Sequence, residues 1–328
     1  MIISKIFNLK KLIIFLNKEV LNMKRTLVLV NEEFNGYFPE RDENFYISTI
    51  YNNQNLWHRI FRKIVLKVNF NLGEKYLFKN WIKLLDKVDT IILFDTGNAV
   101  EILSFLQKIF NKRIILWYWN PVAWTKFSLN KIDRNRIEIW SYNKGDCVKY
   151  HFKYNVQFYL DKNKPKNTEF DYHYDVFFIG TDKNRNQYLN KLENIFKAQG
   201  ISSLFYLVKS TGEKDKNDSK KIKYQKPVSY KELIYMLSKS KAIIDLVPEG
   251  QNGLTLRPLE ALYYKKKLIT NMKQIKEYDL YNPKNVFILG EDDISKMSSF
   301  IDQPYDSSLQ SQLSEEYSEK QWLLNFYK

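Results

Sequence analysis

The residues best suited to bind an anion lie in one stretch, Ile243-Ile-Asp-Leu-Val-Pro-Glu-Gly-Gln-Asn-Gly-Leu-Thr-Leu-Arg-Pro-Leu-Glu-Ala-Leu262. An apolar run, Ala242–Leu246, leads into a glycine-containing loop, and a helical pattern then begins with Arg257 and Glu260 three residues apart on one face. Gly253 lets a backbone approach a ligand closely, and unpaired N–H groups at a helix start attract negative charge. Arg257 offers a two-pronged contact to a diphosphate. Glu260, one turn further in, offers an acceptor for ribose hydroxyls. The same spacing also suits an ordinary surface Arg–Glu pair, and local spacing leaves both readings open. A second candidate is Asp95, which follows the run Thr90–Phe94 and precedes Thr-Gly-Asn98. A carboxylate at a strand end can deprotonate a hydroxyl if its pKa suits. Glu32 and Glu33, after the first apolar run, are its rivals, and Asn120-Pro121 ends another strand. A turn or strand-end cap is the alternative for each.

The elements that must hold these residues alternate between two periods. Thr26–Val30, Thr90–Phe94, Ile114–Trp119 and Ile137–Trp140 read as strands buried on both faces, with helical patterns between them, including Trp81–Leu85 and Ala99–Phe110. Asp161–Thr168 lacks any apolar residue and reads as a linker. The alternation then restarts. Strands are expected at Asp175–Ile179, Ser203–Val208, Ile222–Tyr224, Ala242–Leu246 and Lys267–Thr270. Helices are expected at Arg185–Gln199, Ser229–Ser238, Leu256–Tyr264 and Ser314–Tyr327. The pattern predicts an α/β protein with two Rossmann-like domains and a cleft between them. The expected limits are an extension over 1–22, a first domain over 23–165, a second over 170–310, and a C-terminal helix over 311–328 packing back on the first.

The chain has 328 residues, enough for two cores, and a net charge of +15. Residues 1–165 hold 27 Lys and Arg against 15 Asp and Glu, a net of +12, while the remainder nets +3. A basic half beside a near-neutral one points to an anionic surface as partner. The stretch Leu56–Phe70 places Leu56, Trp57, Ile60, Phe61 and Ile64 on one helical side and Arg59, Arg62, Lys63 and Lys67 on the other, a pattern of membrane-surface helices and equally of a solvated core helix. Residues 1–22 read either as a surface helix or as a sequence preceding the natural start at Met23. One cysteine, Cys147, excludes an internal disulfide, and three histidines make a Cys/His metal site improbable. No run of apolar residues is long enough to span a bilayer. Nucleic-acid binding is a competing reading of the basic half, but the recognised motifs of such modules are missing and the charge is spread over several elements.

The string Gly253-Leu-Thr-Leu-Arg257-Pro-Leu-Glu260-Ala-Leu, followed by Leu268-Ile-Thr270, resembles the donor-site signature of glycosyltransferases with the two-Rossmann GT-B fold. Asp175-Val-Phe-Phe-Ile-Gly180 resembles the opening strand of the C-terminal domain of such enzymes. The chain looks most like bacterial enzymes that build lipopolysaccharide core or capsular polysaccharide. The resemblance implies a nucleotide-sugar donor held by Gly180, Thr181, Tyr230, Gly253, Leu254, Thr255, Arg257 and Glu260, with Tyr230 flanking the nucleobase. It implies a glycan or lipid-linked glycan acceptor, with Asp95 or Glu33 as base, and neither a metal nor a separate cofactor, because helix N-terminus and basic side chains meet the diphosphate. It also implies a cytoplasmic protein, peripheral on an anionic inner membrane face, that does not bind nucleic acid. One departure is the spacing of Glu249 and Glu260, wider than in the retaining branch of the family. A non-catalytic relative that binds the sugar nucleotide remains a further reading.

Overall fold

The structure, a computed structural model, describes residues 25–31, 45–51, 78, 80–125, 127–166, 171–209, 222–248 and 253–328. The extension 1–22, the basic stretch Leu56–Phe70, and Glu32, Glu33 and Glu249 lie outside the described residues. The chain divides into two compact units, residues 1–156 with 320–328, and residues 157–319.

The first unit is built on a six-stranded sheet of β1 (Thr26–Val30), β2 (Tyr46–Thr49), β3 (Thr90–Phe94), β4 (Arg113–Tyr118), β5 (Ile137–Ser141) and β6 (Lys153–Tyr154). The strands run in the order β2-β1-β3-β4-β5-β6, with every pairing parallel. β1 and β3 are buried along their whole length, as a parallel sheet covered on both faces requires. Alternate residues therefore serve different cores. Ile91, Leu93, Ile114 and Leu116 pack with Ile102, Leu103 and Leu106 of helix α1 (Ala99–Ile109). On the other face Phe94, Trp117 and Trp140 meet the chain's last residues. Trp322 lies edge-on to Trp117 at 5.6 Å, and Phe326 edge-on to Trp140 at 4.9 Å. Helix α2 (Lys144–Tyr150) starts where the Asn143 side chain accepts from the amides of Gly145 and Asp146.

The second unit repeats the plan with β7 (Tyr174–Thr181), β8 (Ser203–Val208), β9 (Tyr224–Gln225), β10 (Ser240–Asp245), β11 (Lys267–Thr270) and β12 (Val286–Ile288), in the order β12-β11-β10-β7-β8-β9. Its pairings are likewise parallel. Helix α3 (Asn186–Ala198) buries Leu189, Leu192 and Phe196, one helical stripe, against this sheet. Helix α4 (Tyr230–Ser238) opens with a capping box between Ser229 and Glu232. Helix α5 (Leu256–Tyr263) follows β10, and α6 (Met297–Asp302) adds Met297, Phe300 and Ile301 to the core.

Several elements differ from their sequence expectation. The helical pattern at Trp81–Leu85 is a 3-10 helix, Asn80–Lys87. The helix expected over Ser314–Tyr327 is two, Gln310–Glu316 (α7) and Glu319–Asn325 (α8). Between them the Tyr317 carbonyl accepts from the Tyr159 amide at 2.9 Å, and Ser318 forms a β-bridge with Tyr159. A carbonyl turned toward that neighbouring segment no longer serves the next helical turn. The polar stretch from Asp161 opens with a 3-10 turn, Asp161–Asn163, and its Asn163 carbonyl accepts from both Tyr159 and Tyr264 hydroxyls.

Candidate functional site

In each sheet one point has neighbouring strands whose connections leave in opposite directions, between β1 and β3 in the first and between β7 and β10 in the second. Ligands of open α/β sheets bind outside the carboxyl ends of the strands at such points. In the second unit, the residues there form a compact charged cluster.

Asp245 ends β10 and is 4% exposed. It accepts from the Thr255 hydroxyl at 3.0 Å. Thr255 is also the N-cap of α5, accepting from the Arg257 amide at 3.1 Å, so one side chain ties the strand end to the helix start. Arg257 Nη1 donates to Glu260 Oε2, and the Glu260 side chain is wholly buried. The Tyr230 hydroxyl, from the first residue of α4, donates to Glu260 Oε1 at 3.1 Å and lies 3.0 Å from the Tyr159 hydroxyl. Gly253 and Leu254 are buried immediately before the cap.

Arg185 completes the cluster from the β7 side. Its guanidinium donates to the carbonyls of Leu246 at 2.7 Å and Asp182 at 3.1 Å, and to that of Thr181. It lies over the Phe178 ring, 5.2 Å from the centroid. A Cβ on Gly180 would sit 2.9 Å from Arg185 Nη2 and 3.4 Å from the Phe178 ring. Gly180 therefore makes room for the guanidinium.

Two carboxylates and two guanidiniums thus share one largely desolvated place. Burial pushes the Asp245 carboxyl up to about 6, against the pull of the Thr255 hydrogen bond and of the Arg257 and Arg185 charges, with Glu260 adding to the rise. Burial lowers Arg185, and Arg257 beside it adds to that, while Asp245 and Asp182 oppose it. Burial disfavours the Arg257 charge, but Glu260 outweighs it and the guanidinium is held more firmly protonated. An anion arriving here meets guanidiniums already positioned by backbone carbonyls and carboxylates, which reduces the ordering cost of binding.

Of the expected donor-side residues, Tyr230, Thr255, Arg257 and Glu260 are joined by hydrogen bonds, Gly180 and Thr181 adjoin Arg185, and Gly253 and Leu254 precede the cap. Sequence reasoning missed Arg185, Asp245 and Tyr159. A signal for Arg185 was present, a basic residue in the loop directly after the first strand of its unit.

In the first unit Asp95 immediately follows β3 and is 6% exposed. Its Oδ1 accepts from the Trp119 amide at 2.9 Å and its Oδ2 from the Asn120 side chain at 3.1 Å. Thr96 donates to Asn31 Oδ1 at 3.0 Å, joining the ends of β1 and β3. Asp95 is thus a strand-end bracket as well as a carboxylate at the switch point. Among the described residues no group of three or more His, Cys, Asp or Glu is placed to hold a metal ion, and no helix is long and apolar enough to cross a membrane.

No family model matches the sequence, and no curated protein matches it. Solved structures do. AviGT4, a glycosyltransferase involved in avilamycin A biosynthesis, aligns with a TM-score of 0.53 at 9% identity, over 92% of this chain and 95% of that one. A trehalose-6-phosphate synthase aligns at 0.48 with 11% identity over 92% and 98%. The DNA-modifying β-glucosyltransferase aligns at 0.42 with 12% identity over 92% and 94%. At these identities the likeness is one of fold, and it rests on the first of the three: an α/β chain of two parallel sheets of the GT-B type.

Proposed function

We propose that the protein is a glycosyltransferase that moves a sugar from a nucleotide-sugar to a lipopolysaccharide, capsule or related surface-glycan acceptor, without a metal. The observation that carries this reading is the cluster at the carboxyl ends of β7 and β10, where Arg185, Arg257 and Glu260 stand together around a capped helix start. Arg257 and Arg185 meet the diphosphate, whose charge grows as the sugar departs. Glu260 accepts from the ribose hydroxyls, and Tyr230, already on Glu260, borders the nucleoside. The fold shared with a glycosyltransferase supports the same reading. Asp95 serves the acceptor hydroxyl. The protein works on the cytoplasmic face of the membrane, held there by the basic first half, whose net charge of +12 over residues 1–165 suits anionic lipid.

The test is calorimetric titration of UDP, GDP, ADP and dTDP into the wild-type protein in the presence of EDTA. Saturable binding of at least one is expected. Failure of all four removes the reading.

A further inference from the structure

Tyr159 touches the charged cluster of the second unit from outside it. It lies just before the 3-10 turn Asp161–Asn163 and is wholly buried. Its amide donates to the Tyr317 carbonyl at 2.9 Å, and it forms the β-bridge with Ser318. Its ring stacks on that of Tyr263, from α5, with centroids 4.7 Å apart and planes inclined by 21°. A side chain held at both backbone and ring presents its hydroxyl at one place. That place is 3.1 Å from the Asn163 carbonyl and 3.0 Å from the Tyr230 hydroxyl.

Tyr230 in turn lies 3.1 Å from Glu260 Oε1. A phenol hydroxyl has one proton to donate and can also accept. The Tyr230 proton makes one good bond at a time, to Glu260 or to Tyr159. When it serves Glu260, Tyr159 can donate to the Tyr230 oxygen. When it turns to Tyr159, the Tyr159 proton can turn to the Asn163 carbonyl, which accepts from the Tyr264 hydroxyl at 2.9 Å as well. Both arrangements use the same ring positions, and only two O–H bonds rotate between them. Glu260 is where the difference counts. Its side chain is wholly buried, so an arriving donor takes the place of a present neighbour. Of its two described donors, Arg257 is charged and holds Oε2 by the stronger kind of bond, while Tyr230 is neutral and holds Oε1. Oε1 is the oxygen that can change partners.

We propose that Tyr159 is a positioning residue of the donor site, accepting the hydrogen bond of Tyr230 when a ribose hydroxyl takes Glu260 Oε1. The ribose contact itself rests on the function proposed above. No proton changes owner; three hydrogen bonds change partner. The arriving hydroxyl donates to Glu260, Tyr230 donates to Tyr159, and Tyr159 donates to Asn163. Tyr159 thereby raises the affinity for a ribonucleotide without touching it, because the displaced hydroxyl keeps an acceptor.

The test is calorimetric titration of UDP, GDP and ADP into the wild type, Tyr159→Phe, Tyr230→Phe and the double variant, with the 2′,3′-dideoxy analogue of the nucleotide that binds best. Phenylalanine keeps the stack on Tyr263 and the backbone bonds to Tyr317, so Tyr159→Phe should fold, as urea unfolding will check. It should weaken the nucleoside diphosphate about five- to tenfold. On the Tyr230→Phe background the same change should alter affinity by less than about twofold, because no displaced proton then needs an acceptor. The dideoxy analogue, which has no ribose hydroxyl to give Glu260, should bind the wild type and Tyr159→Phe alike. Three results overturn the relay and leave the donor site standing: unchanged affinity in Tyr159→Phe, an equal loss with and without the Tyr230 hydroxyl, or an equal loss for the dideoxy analogue. Failure of the wild type to bind any of the three nucleotides removes the donor site, and the relay with it.

Discussion

Glu260→Gln separates the buried pairing of one carboxylate with Arg257 from the ribose contact proposed for it. Its side chain is wholly buried, bonded to Arg257 and to the Tyr230 hydroxyl. Removing one partner of a buried ion pair costs about 3–5 kcal/mol, because the other charge is left uncompensated. Here the amide keeps an oxygen acceptor for Arg257, and Asp245 remains nearby as a second negative charge. The loss should therefore fall at the lower end, about 3 kcal/mol, within the roughly 5–15 kcal/mol of a typical fold. The variant should be folded at room temperature with a lowered urea midpoint. For ligand, losing a charged hydrogen-bond partner costs about 1.5–3 kcal/mol, or roughly ten- to a hundredfold in affinity. Urea unfolding and calorimetric titration of the nucleoside diphosphate on the same preparation read both. A lowered midpoint with unchanged affinity would make Glu260 only a structural partner of Arg257 and refute its place in the donor site. An unchanged midpoint would refute the buried pair itself.

Asp245 should impose its own pH dependence. A carboxyl raised to about 6 in the folded state binds its proton more tightly there than in the unfolded chain. Its contribution is present in full below about pH 4 and is lost as pH rises through about 6, a change of about 3 kcal/mol. Asp245→Asn cannot titrate, so its stability relative to wild type should climb by about that amount between pH 4 and 7 in urea unfolding; a difference that does not move with pH would contradict the buried charge. Trp322 is 0% exposed and packs edge-on to Trp117 and Phe326. Trp322→Ala should cost about 3–5 kcal/mol of unfolding free energy, and a loss under about 1 kcal/mol would mean that the C-terminal residues do not hold the first sheet. Neutralising Arg59, Arg62, Lys63 and Lys67 together should release the protein from anionic vesicles in a sedimentation assay, with unchanged binding counting against a basic surface helix, since each such charge contributes roughly 1 kcal/mol.

The parts readable from sequence were those set by neighbours along the chain. Strands such as Thr90–Phe94 announce themselves because a strand buried on both faces must be apolar throughout. Helix α5 and its Arg257–Glu260 pair follow from a cap, a period of 3.6 and a spacing of three. The restart of the alternation after residue 170 likewise marks a second sheet. What needed the folded chain were contacts between residues far apart in sequence. Tyr230 reaches Glu260 from another helix, and Arg185 reaches the Leu246 carbonyl and Asp245 from another strand end. Parallel pairing through crossovers sets the register, and with it which strand ends and helix starts are neighbours. Local pattern carries no record of that register. The same holds for Trp322 and Phe326, whose tail looks like a plain amphipathic helix until Phe94, Trp117 and Trp140 present the aromatic face that it covers.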